Sequence, residues 1–371
     1  MKREEQESGT KRERGYVLWL AHVPGIRGGK LRRMLEYAEA EEFYRMPRER
    51  LGMVPYLTES DVRQIADSRS RWDVEERYER FLDTGMRMVM RTERAYPKRL
   101  THIGMAPPVL FYMGSLPGEE TKSIALVGAR MCSEYGRHYA GEIAYTAACA
   151  GMNVVSGMAA GVDGAAHRGA MRAGCATYAV LGCGADRCYP AQNRDIYEYM
   201  KRQGGILSEC IPGTEPEGWL FPQRNRLISG LADIVVVVEA KERSGSLITA
   251  DFALEQGRDI YALPGRVGDA LSAGCNRLIR QGAGIILDPE EFLQELSLMR
   301  GTAKFIGEFP QNTLEKDEGL VYSSLDLQPK NIEQILQETK LDIDRTCDIL
   351  LRLETVGLIK EIYRNYYIRL R

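Results

Sequence analysis

The sequence predicts an α/β fold: an extended Rossmann-like, doubly wound and mostly parallel sheet, with an N-terminal helical domain and a C-terminal winged-helix-like domain. Three observations carry this. From Ser123 to about Met299, short β-branched runs alternate with helical stretches: SIALVGAR (from Ser123), NVVSG (Asn153), TYAVLG (Thr177), GILSE (Gly205), DIVVVVEA (Asp233), DIYALPG (Asp259) and GIILD (Gly284). The runs are nearly continuously apolar, as strands covered on both faces must be. Their alternation with helices implies right-handed crossovers and a parallel sheet.

The flanks read differently. Residues 1–14 are polar and charged, the composition of a disordered tail. Residues 15–95 repeat apolar positions at three- and four-residue spacing (Val17, Leu18, Leu20; Leu31, Met34, Leu35; Val62, Ile65), which predicts a small helical domain. Within it, VPGIRGGKLRRML (23–35) reads as a glycine turn entering a helix and resembles one half of a helix-hairpin-helix element, whose amides can hold a phosphate. The segment reads as sterile-alpha-motif- or helix-hairpin-helix-like, and a helical domain that only packs is the reading favoured over phosphate binding. Pro97, Pro107 and Pro108 mark a linker, and the Rossmann-like domain is expected over 96–299. Residues 300–320 read as a charged linker. Over 321–371, helices from about Asn331 and Asp344 precede two β-like runs, the order of a small winged helix. From Asn312 to Arg371 acidic residues outnumber basic ones by 11 to 9, which favours protein contact or packing over DNA reading.

Composition narrows the class. With 371 residues, 44% apolar and 27% charged, the chain is an ordinary globular protein of two or three domains. Its net charge of −2 argues against a strongly basic nucleic-acid binder and leaves local basic clusters open. Eight cysteines form no C-x-x-C pair and read as buried thiols of a reducing cytosol. Cys183 and Cys188 would supply only half a metal site, and no metal or cofactor is expected. The charged N-terminus is unlike a signal peptide, and the apolar run 234–238 is too short to span a membrane. The expected location is the cytoplasm.

In an open α/β sheet, ligands bind beyond the carboxyl ends of the strands, where strand order reverses. After the first predicted strand of the parallel sheet come Gly128, Ala129 and Arg130, with a helix starting near Ser133 or Glu134. Close backbone approach, helix amides and a planar cation suit a phosphate. No G-x-G-x-x-G follows that strand and no acidic residue follows the second, so NAD is not expected. FPQRNRLISGLA (221–232) places Arg224, Asn225 and Arg226 at the start of a helix. After DIVVVVEA come Lys241 and Arg243, then Ser244, Gly245 and Ser246, with Thr249 on the first turn of a helix. Such hydroxyls and glycine make an anion nest. YPAQNR brings Asn193 and Arg194 after the third strand, with Tyr197 one turn on. Tyr189 or Tyr197 is the aromatic that can stack an unpaired base or else simply pack. Asp163 and His167 sit four apart on a Gly/Ala-rich helix without a nucleophile or metal partner; holding a loop is the reading favoured over catalysis.

These same segments resemble the DprA/Smf (DNA processing protein A) family. VGAR, VVSGMAAGVDGAAHRGA, AVLGCG, YPAQN, LSE, FPQRNRLISGL, VVVVEA, SGSLITADFALEQGRDIYALPG and GCNRLI follow in consistent order over about 170 residues. The resemblance implies a non-enzymatic protein that binds single-stranded DNA in a positive pocket, usually as a homodimer. It further implies loading of the RecA recombinase onto incoming strands against single-strand-binding protein, during natural transformation. Carried over by motif, Arg130 is the first phosphate contact. Arg224, Asn225, Arg226 and Ser244 to Thr249 surround it, and Arg194 and Tyr197 are less firmly placed. A different class, the lysine-decarboxylase-like phosphoribohydrolases, shares the outline; their P-G-G-x-G-T-x-x-E motif is absent, and the comparable helix start reads SGSLITADFA. A scaffold without ligand would leave the strand-end Arg and Ser clusters unexplained.

Overall fold

A computed structural model describes residues 2–296 and 315–369. Nine strands form one sheet: β1 (Arg87–Met90), β2 (Val109–Gly114), β3 (Ser123–Val127), β4 (Asn153–Ser156), β5 (Thr177–Val180), β6 (Gly204–Ser208), β7 (Ile234–Val237), β8 (Asp259–Ala262) and β9 (Gly284–Ile285). Their order is β1-β2-β6-β5-β4-β3-β7-β8-β9. Neighbours from β6 across to β9 run parallel, and β3 is flanked by β4 and β7: Ala125 pairs with Val155 on one side and Val235 on the other. The chain therefore winds one way from β3 to β4 and the other way after it reaches β7. That reversal is the switch point.

Side chains alternate between the faces as a pleated strand requires. Ile124 and Leu126 of β3 pack with Ala140, Ile143 and Ala166 from the helices Glu134–Cys149 and Val162–Arg172. Ala125 and Val127 pack on the opposite side with Leu227, Leu231 and Leu247 from the helices Leu220–Leu231 and Gly245–Glu255. The two helices Glu134–Cys149 and Val162–Arg172 carry alanine and glycine where they meet. A side chain on Gly169 would lie 2.2 Å from the Gly141 carbonyl.

Two strands of the sheet are additions to the expected set. β1 and β2 pair antiparallel, and β2 pairs antiparallel with β6. The proline-marked segment is thus not a simple linker. Pro107 and Pro108 precede β2, where a missing N–H costs the ladder nothing. The Arg91 N–H donates to the Pro108 carbonyl at 2.9 Å and closes the hairpin. β1 also falls inside the range read as purely helical, so helix ends and sheet begins before residue 95.

The helical segment shares its core with the sheet. Trp19, Leu20, Phe43, Ile65 and Phe81 are packed in one cluster with Met88, Phe111, Leu181 and Ile206. Residues 2–14, expected to lack structure, instead belong to the helix Lys2–His22. Lys, Arg, Glu and Gln are good helix formers, and the buried stretch Tyr16 to Ala21 anchors their continuation. Lys11 meets Glu79 at 3.0 Å and Arg14 meets Glu93 at 2.7 Å, which ties the helix down.

Most of the expected linker 300–320 lies outside the described residues, and its end belongs to the helix Lys316–Ser324. Then follow β10 (Lys330–Asn331), the helices Ile332–Thr339 and Ile343–Thr355, β11 (Ile359–Tyr363) and β12 (Tyr366–Arg369). They form a three-stranded sheet in the order β10-β12-β11 around a core of Val321, Ile335, Ile349, Leu353 and Ile359.

Phe111 on β2 is 1% exposed and meets Phe81 edge-on at 6.2 Å. Phe111→Ala is expected to destabilise the protein by about 3–5 kcal/mol. Because the core is continuous, the helical layer and the sheet should melt together in calorimetry; two separated transitions would contradict the shared core.

Candidate nucleic-acid interface

Where β3 and β7 part, their carboxyl ends open on a cleft of about 370 Å³. It gathers Gly128, Arg130, Arg224, Asn225, Ser244, Gly245, Ser246 and Thr249 from the anticipated set. A smaller hollow of about 200 Å³ adjoins it, sharing Arg130, Phe221 and Arg224 and adding Tyr189 and Gln192.

The floor is set by close packing. A Cβ on Gly128 would lie 2.6 Å from Val162, and one on Gly161 would lie 2.3 Å from the Ala129 carbonyl. Gly161 also has φ +78°, a conformation that favours glycine. The loops after β3 and β4 are thereby pressed together, and Arg130 is turned out to solvent. Its guanidinium carbon lies 5.2 Å from the centre of the Phe221 ring. Tyr189, 41% exposed, stacks on the same ring at 5.6 Å and 24°. A cation held by an aromatic face keeps its donors free for a ligand.

Beside this stack, the helix Gly245–Glu255 begins. Ser244 caps it by accepting the Ser246 N–H at 3.4 Å, and the two hydroxyls lie 2.8 Å apart. Asn225 donates to the Gly245 carbonyl at 3.1 Å, joining this helix to its neighbour Leu220–Leu231. The result is a cluster of hydroxyls at a helix N-terminus facing one exposed arginine, an arrangement matched to an oxyanion.

Arg224 has another role. It is 4% exposed and donates to the Val180 carbonyl at the end of β5. Its guanidinium fills the space beside Gly157, where a Cβ would fall on it. Burial pushes its pKa down to about 10, although the negative charge of Asp163 opposes this. The Asp163 carboxylate accepts the N–H groups of Gly157 and Ala159 at 3.1 and 3.2 Å, and burial raises its pKa against the pull of Arg224. Asp163 therefore holds the loop after β4, as the sequence suggested. His167 meets the Thr177 hydroxyl at 2.8 Å, and that hydroxyl donates to the Val154 carbonyl. Burial drives the His167 pKa down to about 3.

Several anticipated residues stand elsewhere. Ser133 caps the helix Glu134–Cys149 and donates to the buried Glu239 at 2.5 Å. Asn193 is 3% exposed and donates to the carbonyls of Met158 and Ala159, pinning the loop after β4. Tyr197 is 5% exposed with its hydroxyl donated to Ala185 at 2.8 Å, so it offers no face to a base. Arg226 forms a fork with Glu209 at 2.8 and 2.7 Å and turns away from the cleft. Arg194 and Lys241 are exposed but do not line either hollow. Arg224 to Arg226 also sit in the second turn of their helix rather than at its start, because the helix begins at Leu220. Pro222 is tolerated in that first turn, where amides have no intrahelical partner. Phe221 was the residue missed. Its signal was position: an aromatic directly ahead of the Arg-Asn-Arg cluster.

Among the described residues, no group of three or more His, Cys, Asp or Glu could hold a metal ion, and no helix is long and apolar enough to cross a membrane.

A sequence model of the family described as DNA recombination-mediator protein A matches residues 87–297. The chain belongs to this family. Protein Smf of Synechocystis sp. is 31% identical, with 94% of this chain and 97% of that protein covered. DNA processing protein DprA of Streptococcus pneumoniae is 42% identical over 54% of this chain and 71% of its own length. A solved structure of that DprA covers 76% of this chain and 97% of its own, at 32% identity and a TM-score of 0.65. A Helicobacter pylori DNA processing protein A, described with a single-stranded-DNA-binding mode, covers 57% of this chain and 95% of its own, at 28% identity and a TM-score of 0.53. The matched span of the family model begins at β1, the strand that the helical reading of 15–95 had absorbed.

The Arg226–Glu209 fork sits with 9% and 20% of its side chains exposed. Arg226→Ala is expected to cost about 3 kcal/mol in urea unfolding by stranding Glu209, whereas exposed Arg130→Ala should change stability by less than about 0.5 kcal/mol. Equal losses would contradict the division between framework and site.

His167 gives a second test. Its folded pKa of about 3 lies below the ordinary 6.5, so the unfolded chain binds the extra proton as pH falls. Stability due to this group is full above pH 6.5 and declines toward the folded pKa, by up to about 1.4 kcal/mol per pH unit. His167→Asn should flatten the slope of unfolding free energy between pH 6.5 and 5; an unchanged slope would refute the assignment.

Proposed function

We propose that this protein is a sequence-independent single-stranded-DNA-binding recombination mediator, acting by binding rather than by catalysis. The observation that carries this reading is the exposed Arg130, held over Phe221 beside the hydroxyl-lined start of the helix Gly245–Glu255. In this reading Arg130, Gly128 and the Ser244–Thr249 turn hold a phosphate, while Phe221 and Tyr189 face a base in the smaller hollow. The single-strand-binding mode described for the Helicobacter pylori relative supports it. Asp163 and His167, the pair that could suggest acid–base chemistry, are engaged in holding strand ends.

The wider role we propose is loading of RecA onto single strands covered by single-strand-binding protein, by a cytoplasmic homodimer during DNA uptake. Residues 316–369 form a winged helix in this proposal, because their helix–strand–helix–helix–strand–strand order has that topology.

Fluorescence anisotropy of labelled single- and double-stranded oligonucleotides across a salt series tests the first step. Wild type should prefer the single strand. Arg130→Ala should weaken binding about tenfold and lower the slope of log K against log salt by about 0.7, one phosphate contact. No single-strand binding at low salt would sink the reading, and nucleoside monophosphate hydrolysis would then be assayed. RecA filament growth on strands coated with single-strand-binding protein tests the wider role. No acceleration by the protein would remove it.

A further inference from the structure

A third hollow, of about 280 Å³, lies between the helical layer and the sheet. Its walls are largely apolar, from Ile26, Leu31, Pro108, Phe111, Ile211 and Leu220. Pockets for drug-sized ligands run to about 300–1,000 Å³, so this one suits a single flat ring system. Two groups stand at its edge. Trp219 is 50% exposed, with its indole N–H donated to the Glu217 carboxylate. Arg27 is exposed and lines the hollow from the helical side. Glu209 also lines it, but the Arg226 fork neutralises that carboxylate.

The position of the hollow matters most. Gly218 and Phe221 line the main cleft, while Trp219 and Leu220, between them in the chain, line this one. One short segment is therefore the wall between the two. A strand leaving the main cleft past Gly218 meets Trp219 next. Two hollows with an aromatic at one side and an arginine within reach repeat the same recognition elements on either side of that wall. Successive bases stack on aromatic platforms while cations follow the backbone in sequence-tolerant single-strand binding.

We propose that the hollow between the helical layer and the sheet is a second nucleotide subsite, in which one base of single-stranded DNA stacks on Trp219 and a neighbouring phosphate meets Arg27. This rests on the single-strand reading of the main cleft and extends it to the helical domain. That domain then lengthens the bound strand rather than only supporting the sheet.

Oligothymidylates of two lengths test it, one of about four nucleotides that the main cleft holds alone and one of about twelve. Binding is measured for wild type, Trp219→Ala, Arg130→Ala and Gln223→Trp, the last placing a bulky ring at an exposed position that lines the hollow. Far-ultraviolet circular dichroism confirms that each variant is folded. Trp219→Ala and Gln223→Trp are expected to weaken the long oligonucleotide about tenfold and leave the short one unchanged. Arg130→Ala should weaken both. Unchanged affinity for the long oligonucleotide in the two hollow variants overturns the subsite while leaving the main cleft intact. So does equal weakening at both lengths, which would place Trp219 in the main cleft. A loss in Trp219→Ala alone puts the base on the rim and overturns the seat in the hollow. If wild type binds neither length, the reading of the main cleft fails first.

Discussion

Two buried opposite charges, Arg224 and Asp163, organise the ligand-facing end of the sheet. Arg224 reaches from the helix Leu220–Leu231 to the Val180 carbonyl at the end of β5 and lies against Gly157 after β4. Asp163 reaches back from the helix Val162–Arg172 to the Gly157 and Ala159 amides. Two strand ends and two helices are thus fixed by one cation and one carboxylate. Both charges are withdrawn from water; the opposite charge nearby, the Val180 carbonyl on Arg224 and the Gly157 and Ala159 amides on Asp163 offset part of that cost. The opposed displacements of their pKa values, Arg224 downward and Asp163 upward, express the same burial.

That arrangement separates framework from contact surface. Arg224 contributes positive potential to both hollows, yet its donors are partly committed to the protein. Arg130 is exposed and rests on Phe221, so its hydrogen-bonding edge remains available. The rigid and the available cation come from different elements, the helix after β6 and the loop after β3. A net charge of −2 is compatible with this, because the potential a strand would meet depends on which side chains reach the switch point.

The parallel half of the sheet was legible because buried parallel strands write themselves as unbroken apolar runs, and DIVVVVEA or SIALVGAR permit little else. β1 and β2 were not, since RMVM follows a helix closely and the other strand begins behind two prolines. They join the sheet where β2 pairs with β6, almost 100 residues later in the chain, and no local pattern encodes that. The tail was misread because charge alone does not distinguish a solvated helix from a disordered segment. Its ion-pair partners, Glu79 and Glu93, are remote in sequence.

Within the site, motif membership located the cleft but did not sort the side chains. Arg224 and Arg226 are two apart on a helix and so point in widely different directions. One enters the cleft and the other meets Glu209. Asn193 and Tyr197 follow a loop rich in ligand-like residues, but both are buried and spend their polar groups on backbone carbonyls. Their neighbour Tyr189 stays at the surface and stacks on Phe221. Such choices depend on which carbonyls the surrounding loops leave without partners, because a buried donor must find one. In this fold the loop after β4 presents the carbonyls of Met158 and Ala159, and Asn193 is drawn inward to them. The same requirement that removes Asn193 from the ligand keeps the loop closed beneath Arg130, so residues that never reach the cleft still define its shape.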